Sequence, residues 1–262
     1  MEYSYKLSII TVNLNNKEGL QNTIDSVITQ TCKDFEWLII DGGSTDGSKE
    51  LIEKYDNHIN YWVSEPDKGI YNAMNKGILA SHGEYLLFLN SGDFLISNLV
   101  IGKVIPYLNN KDIYVGKQKS KFGIFYPKDS SLEIVSYIFN MTLPHQASFI
   151  NRILFDKFGL YNEDLKICSD WEFFLKVAVL NNCSIEIIPL LISEIEPDGI
   201  SETDLINSRN ERNNILNKFY RIKKLNEFYT QNKEIIKALT SNKVIFFLFR
   251  IYYIFYRKIN KK

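Results

Sequence analysis

Four short stretches carry residues whose types and spacing could do chemistry. In "IIDGGSTDGS", Asp41 precedes two glycines, where a carboxylate can accept a hydrogen bond from a base edge or a ribose hydroxyl. The same residues also suit a glycine-rich turn, with Ser44 or Asp46 capping the next helix. In "SEPDKGIYNAMNKG", Gly69 lets a ligand approach the chain, Asp67 and Lys68 supply charge, and the amino terminus of the helix that follows favours phosphate. An ordinary capped helix after a turn at Pro66 is the plainer alternative. In "LLFLNSGD", an apolar run ends in Asn90, Ser91, Gly92 and Asp93. Hard cations such as Mg2+ and Mn2+ take oxygen ligands and often use one or two protein carboxylates when phosphates complete the shell, so one Asp could suffice. By composition alone these four residues also make a common turn. In "SDWEFFLK", Asp170 opens a helix, a place that favours an acid through the helix dipole alone.

These stretches need elements to hold them. "KLSIITVNLN" and "FEWLIID" read as buried strands that break into polar residues at their carboxyl ends, and "INYWVSE" and "EYLLFLN" read as two more. Between them Leu20, Ile24, Val27 and Ile28 recur at helical spacing behind Asn16 as the cap, "SKELIEKY" forms a short helix, and another covers Ile70 to Ala80. The alternation predicts a mostly parallel sheet with helices on both faces. In such sheets ligands bind beyond the carboxyl ends of the strands. Thr11-Val12-Asn13, Asp41-Gly42-Gly43 and Asn90 to Asp93 each end a strand, so all three should meet at one cleft. From about Asp112 to Pro197 the pattern is irregular, apart from one helix in "SDWEFFLKVAVLNN" and a strand-like "SIEIIPLLISEIE".

The chain has 262 residues, 45% of them hydrophobic, enough for one large α/β domain or two small ones. Its formal net charge is zero but unevenly spread: residues 201–262 hold fourteen Lys/Arg against five Asp/Glu, leaving seventeen against twenty-six before them. An acidic body with a basic appendage is expected. Cys32, Cys168 and Cys183 lack metal-site spacing and read as reduced core cysteines of a cytosolic protein. "MEYSYKLSIITV" runs into a strand with no basic leader, so a signal peptide is not expected. For that reason the sequon at Asn140-Met141-Thr142 carries little weight.

Taken together and in order, "SIITVNLN", "IIDGGSTDGS", "EPDKGIYNAMNKG", "LLFLNSGD", "HQ" and "SDWEFFLK" closely resemble the family 2 glycosyltransferases, over roughly Lys6 to Ile195. The resemblance implies a GT-A fold, a Rossmann-like, mostly parallel mixed sheet over residues 1–200, followed by a basic helical extension over 201–262. It also implies transfer of a sugar from a UDP-sugar to a glycan hydroxyl with inversion. Asp41 matches the uracil-binding position, and Thr11 and Asn13 line the same pocket. The metal motif of relatives, often Asp-x-Asp, falls on Asn90 to Asp93 and departs from it, leaving Asp93 as the sole carboxylate for Mg2+ or Mn2+. Asp170 matches the catalytic base that removes the acceptor's proton. Glu172, two residues on, should point elsewhere and at most supports the site from behind. His145 and Gln146 match a pair found in the subgroup with this variant motif and line the donor or acceptor pocket.

The segment "VIFFLFRIYYIFY", Val244 to Tyr256, is shorter than the about 20 residues a bilayer span needs, and Lys243, Arg257 and Lys258 flank it. It suits an interfacial helix on an anionic membrane surface, with a core helix or a homodimer contact as alternatives. The expectation is a cytoplasmic enzyme, peripheral on the inner face of the cell membrane, that builds bacterial surface polysaccharide on a lipid carrier and has no nucleic-acid partner. Two rival classes are a sugar nucleotidyltransferase and a non-catalytic nucleotide-sugar or membrane-binding module. The first should show a glycine-rich basic loop after the first strand, which "TVNLNNKEG" lacks. The second is disfavoured by Asp41, Asp93 and Asp170 occurring together.

Overall fold

A computed structural model describes residues 3–127, 131–195, 203–219, 227, 230 and 231. The elements in chain order are β1 (Tyr5–Asn13), α1 (Lys17–Ile28), β2 (Glu36–Asp41), α2 (Ser48–Lys54), β3 (Tyr61–Ser64), α3 (Ile70–Ala80), β4 (Gly83–Phe88), β5 (Phe94–Leu95) and α4 (Val100–Val104). They continue with β6 (Ile113–Ser120), β7 (Gly123–Phe125), α5 (Ser131–Asn140), β8 (Ser148–Asn151), α6 (Ile153–Phe158), α7 (Ser169–Phe174), β9 (Ile185–Glu194) and α8 (Leu205–Lys218).

One sheet runs β3-β2-β1-β4-β8-β6-β9-β5, with β7 paired to β6. The first four strands are parallel, β8 is antiparallel to β4 and β6, and β9 is parallel to β6. The chain winds outward from β1 through β2 to β3, then returns to place β4 on the other side of β1. That reversal opens a crevice at the carboxyl ends of β1 and β4.

The strands are apolar without alternation because both faces are covered. Ile10, Val12, Leu38, Ile40, Leu86 and Phe88 face one core, with Met74, Ile78, Trp171 and Phe174. Leu7, Ile9, Trp37, Ile39, Tyr85 and Leu87 face the other, with Leu20, Ile24 and Val27 of α1. Asn16 caps α1 as expected, its side chain accepting from Gly19 N. At the amino edge of the sheet, buried Glu36 accepts from Ser8 Oγ at 2.6 Å and from His82 N at 2.7 Å. That edge is committed to structure.

The helix expected over "SDWEFFLKVAVLNN" is divided: α7 ends at Phe174 and residues 175–180 widen into a π-helical turn. Trp171, Phe173 and Phe174 of α7 and Leu175 and Val177 of the π-helical turn are all buried. Helix α5 and the strands around it occupy the region whose sequence pattern is irregular. The three cysteines are free thiols. No helix among the described residues is long and apolar enough to cross a membrane. The segment Val244 to Tyr256, expected at a membrane surface, lies outside the described residues.

Candidate active site

Strand register builds the first part of the site. Asn13 pairs with Asp41, and Asp41 with Ser64, so three polar side chains stand in a row at the carboxyl ends of β1, β2 and β3. Asp41 is fully buried and accepts five hydrogen bonds, from Asn13 Nδ2 (2.7 Å), Ser44 Oγ (2.6 Å), Ser64 Oγ (2.6 Å), Ser44 N (2.9 Å) and Gly43 N (3.2 Å). Burial alone would raise its pKa, but the bonds from Ser44, Ser64 and Asn13 outweigh burial and hold it below the ordinary carboxylate value. Five donors exceed the roughly four lone-pair sites of a carboxylate, so a ligand reaches Asp41 only when a serine hydroxyl turns away. Asn13 Oδ1 is buried and makes no hydrogen bond among the described residues.

Two loops close over this row. Gly43 has φ 81°, and a Cβ on it would meet Pro66 N at 3.0 Å, while one on Gly42 would meet Asp67 Oδ2 at 2.5 Å. Only glycines let the 65–69 loop lie this close. Within that loop Asp67 Oδ1 accepts from Gly69 N at 2.8 Å, and Gly69 at φ 123° has open space where a Cβ would stand. Lys68 is anchored through its backbone N–H to Asn72 Oδ1 at 3.3 Å. Thr11 stands apart from the cleft: it is fully buried, and its Oγ1 accepts from Trp37 Nε1 at 3.1 Å.

The Asn90 to Asp93 turn follows β4. Ser91 N donates to Val12 O at 3.0 Å, which carries the strand pairing one step past the sheet. Gly92 adopts φ 98°, and Thr23 of α1 grips the turn, accepting from Gly92 N at 3.0 Å and donating to Asp93 O at 2.7 Å. Asp93 is therefore held by its backbone while its carboxylate meets Gln146.

The short helical turn His145–Ala147 carries the two residues that link the halves of the site. Gln146 Nε2 donates to Asp93 Oδ2 at 3.0 Å, and its Oε1 accepts from Gln118 Nε2 of β6 at 2.7 Å. His145 Nδ1 lies 3.3 Å from Asp170 Oδ2, and its Nε2 lies 3.3 Å from Asn90 Nδ2. Asp170, in the first turn of α7, also accepts from Tyr71 Oη at 2.9 Å and from Thr142 Oγ1 at 3.4 Å. Burial would raise the pKa of Asp170, yet its contacts with His145 and Tyr71 hold it below the ordinary value. Burial, reinforced by the Asp170 charge, pushes the Tyr71 phenol well above its usual pKa and keeps it a donor. Glu172 points elsewhere, toward Asn162 Nδ2 at 3.1 Å and Lys218 Nζ at 3.6 Å.

The structure thus joins Asn90, Asp93, His145, Gln146 and Asp170 in one network, with Asn13 and Asp41 across the crevice. Sequence reasoning missed Thr23, Ser44, Ser64, Tyr71, Gln118 and Thr142 as partners. Ser44 and Tyr71 lie inside motifs that were singled out, whereas Gln118 and Thr142 reach the site from the irregular region.

The family model described as "Glycosyl transferase family 2" matches residues 8–168. The chain belongs to this family. The uncharacterized glycosyltransferase Rv1514c of Mycobacterium tuberculosis is 32% identical over 205 residues, covering 74% of this chain and 76% of that protein. The PGL/p-HBAD biosynthesis glycosyltransferase Rv2957 of the same organism is 28% identical over 180 residues, 64% of this chain and 68% of that one. Among solved structures, S. aureus TarS 1-349 superposes with a TM-score of 0.62 at 21% identity, over 72% of this chain. The mannosyltransferase PcManGT of Pyrobaculum calidifontis, solved with GDP-Man and Mn2+, superposes at 0.57 with 14% identity over 74% of this chain. The chain spans 60% of the length of each of these two structures, and the likeness shows the GT-A fold.

For a family 2 glycosyltransferase the turn after β4 carries oxygen donors of the kind a hard divalent cation takes. It offers the Asp93 carboxylate and Asn90 Oδ1, a buried oxygen with no hydrogen-bond partner among the described residues. No group of three or more His, Cys, Asp or Glu side chains converges anywhere among the described residues, so a cation here would depend on ligand phosphate and water for the rest of its shell.

Proposed function

We propose that this enzyme is an inverting glycosyltransferase that moves a hexose or N-acetylhexosamine from a UDP-sugar to a hydroxyl of a lipid-linked glycan, with Mg2+ or Mn2+ at Asp93. The observation that carries the reading is the adjacency of His145 and Gln146, one touching Asp170 and the other Asp93. A base and a cation anchor on either side of one dipeptide can flank an anomeric carbon from opposite faces.

In this reading the uracil sits over the Asn13, Asp41 and Ser64 row. Asn13 Oδ1 is the acceptor awaiting an N–H, and rotation of Ser44 or Ser64 frees Asp41. The 67–69 loop, held by Asp67 and opened by Gly69, lets the diphosphate approach the start of α3. Bound Mg2+ or Mn2+ supplies positive charge that stabilises the leaving diphosphate. The acceptor oxygen forms its bond to the anomeric carbon as the bond to the diphosphate oxygen breaks, and its proton passes to Asp170. Asp170 is kept ionised by His145 and Tyr71, the state a base needs. Its low proton affinity puts proton transfer late, once the attacking hydroxyl has been acidified by bond formation.

Two of these similar proteins support the substrate class. TarS 1-349 has been solved in complex with UDP-GlcNAc, and the relative Rv2957 acts in PGL/p-HBAD biosynthesis. Because PcManGT was solved with GDP-Man, the test is a panel of UDP- and GDP-sugars, assayed for donor hydrolysis and transfer with Mn2+ and with chelator. Turnover confined to UDP-sugars with metal is expected. Preference for GDP-sugars, or full activity with chelator, would overturn the donor or the metal assignment.

A further inference from the structure

Helix α8 lies beyond the segment that matches the family model, yet it grips the chain at the point where Asp170 is positioned. Glu211 of α8 accepts three consecutive backbone N–H groups: Lys166 N at 2.8 Å on Oε1, Ile167 N at 3.0 Å and Cys168 N at 2.9 Å on Oε2. Successive amides converging on one anion form a nest. Here the protein's own carboxylate fills it. The same segment also meets Tyr71, whose Oη lies 2.6 Å from Ile167 O and 2.9 Å from Asp170 Oδ1, its single proton shared between the two acceptors. Asp170 is two residues past Cys168, and Cys168 O accepts from Glu172 N at 2.9 Å to start the helix.

The other α8 contacts seat the helix without touching these amides. The Arg212 guanidinium lies 4.7 Å from the Trp171 ring centroid, and Ile215 is buried in the core that holds Trp171. The nest needs an acid in particular, since a carboxylate has two acceptor oxygens for three donors and a carboxamide has one.

We infer that Glu211 is a positioning residue for Asp170: by fixing the 166–168 amides it sets where α7 begins and so where the Asp170 carboxylate meets His145 and the acceptor. The inference rests on Asp170 being the base. It makes the Glu211 carboxylate of α8 a working part of the active site, so that losing its hold on the 166–168 amides slows turnover while leaving the nucleotide row intact.

The test is steady-state kinetics on the full chain. Glu211→Ala should lower kcat at least tenfold, with donor KM and UDP affinity within about twofold of wild type, and Glu211→Gln should fall between. Ile215→Ala loosens the same helix through the core, so it should lower the melting temperature while kcat stays near wild type. In an Asp170→Asn background, Glu211→Ala should slow the residual rate no further. Wild-type kcat in folded Glu211→Ala, an equal kcat loss in Ile215→Ala, or an additive loss in the double variant would overturn the inference. Failure of the base assignment reads differently, because Asp170→Asn would then remain active by itself.

Discussion

His145 Nδ1 stands 3.3 Å from Asp170 Oδ2, and on the far side of the ring Nε2 faces Asn90 Nδ2 at 3.3 Å. A neutral imidazole satisfies both contacts in one tautomer, with Nδ1–H donating to the carboxylate and Nε2 accepting from the amide. His145 therefore orients the Asp170 carboxylate and ties it to the turn that carries Asp93. His145→Ala removes a hydrogen bond to an ionised group, worth roughly 1.5–3 kcal/mol, and should lower kcat about ten- to hundredfold. Kinetics at saturating donor check this, and an unchanged kcat would remove His145 from the catalytic arrangement.

Gln146 should act on the other half of the site. Gln118 Nε2 donates to Gln146 Oε1, which leaves the Gln146 NH2 facing Asp93 Oδ2. Losing a partner behind a metal ligand typically costs about 10–100-fold in metal affinity. Gln146→Leu should raise the Mn2+ concentration for half-maximal activity by that order, and Gln118→Leu by less. Metal titration of activity measures both.

Acid stability should follow Asp41 and Asp170. Both have folded-state pKa values below the ordinary 3.8, so each contributes stability that is fully present above the unfolded carboxylate range and lost as pH falls through the folded value. Wild-type melting temperature should hold above about pH 5 and fall increasingly below about pH 4. Asp41→Asn should start lower at neutral pH and show a shallower acid decline. Parallel decline in the two proteins would contradict the account of Asp41.

The packing of α3 on β1 gives a test independent of chemistry. A Cβ on Gly77 would run into the Ile10 side chain, which lies in the core with no exposed surface. Gly77→Ala should cost about 1–3 kcal/mol, a drop of several degrees in melting temperature, with donor KM little changed. Thermal denaturation beside donor kinetics checks it.

The parallel half of the sheet was legible because its signals are local. β1, β2 and β4 are continuous apolar runs that stop at polar clusters, and α1 and α3 begin where Asn16 and Gly69 indicate. The antiparallel half was not, since the pairing of β8 with β4 and β6 joins short segments far apart in the chain. The site divides in the same way. Asp41, Asp93 and Asp170 each read locally as a turn or helix-start residue, and it is the ordered match of the motifs to the family that singles them out. Tyr71 reaches Asp170 across 99 positions, and Thr142, which lies in a glycosylation sequon, donates to Asp170 instead. Glu211 gives no local signal, because its role exists only once α8 has folded against the 166–168 amides. Thr11 shows the reverse case: it sits at a strand end like Asn13, but its hydroxyl is committed to Trp37.

The central claim is that Asp170 takes the acceptor's proton while Asp41 and Asp93 hold the donor. It is tested most directly by assaying purified Asp170→Asn for both sugar transfer and UDP binding. The account predicts transfer reduced by about 10²–10⁴-fold or more with UDP affinity near wild type. Transfer at the native rate would contradict it.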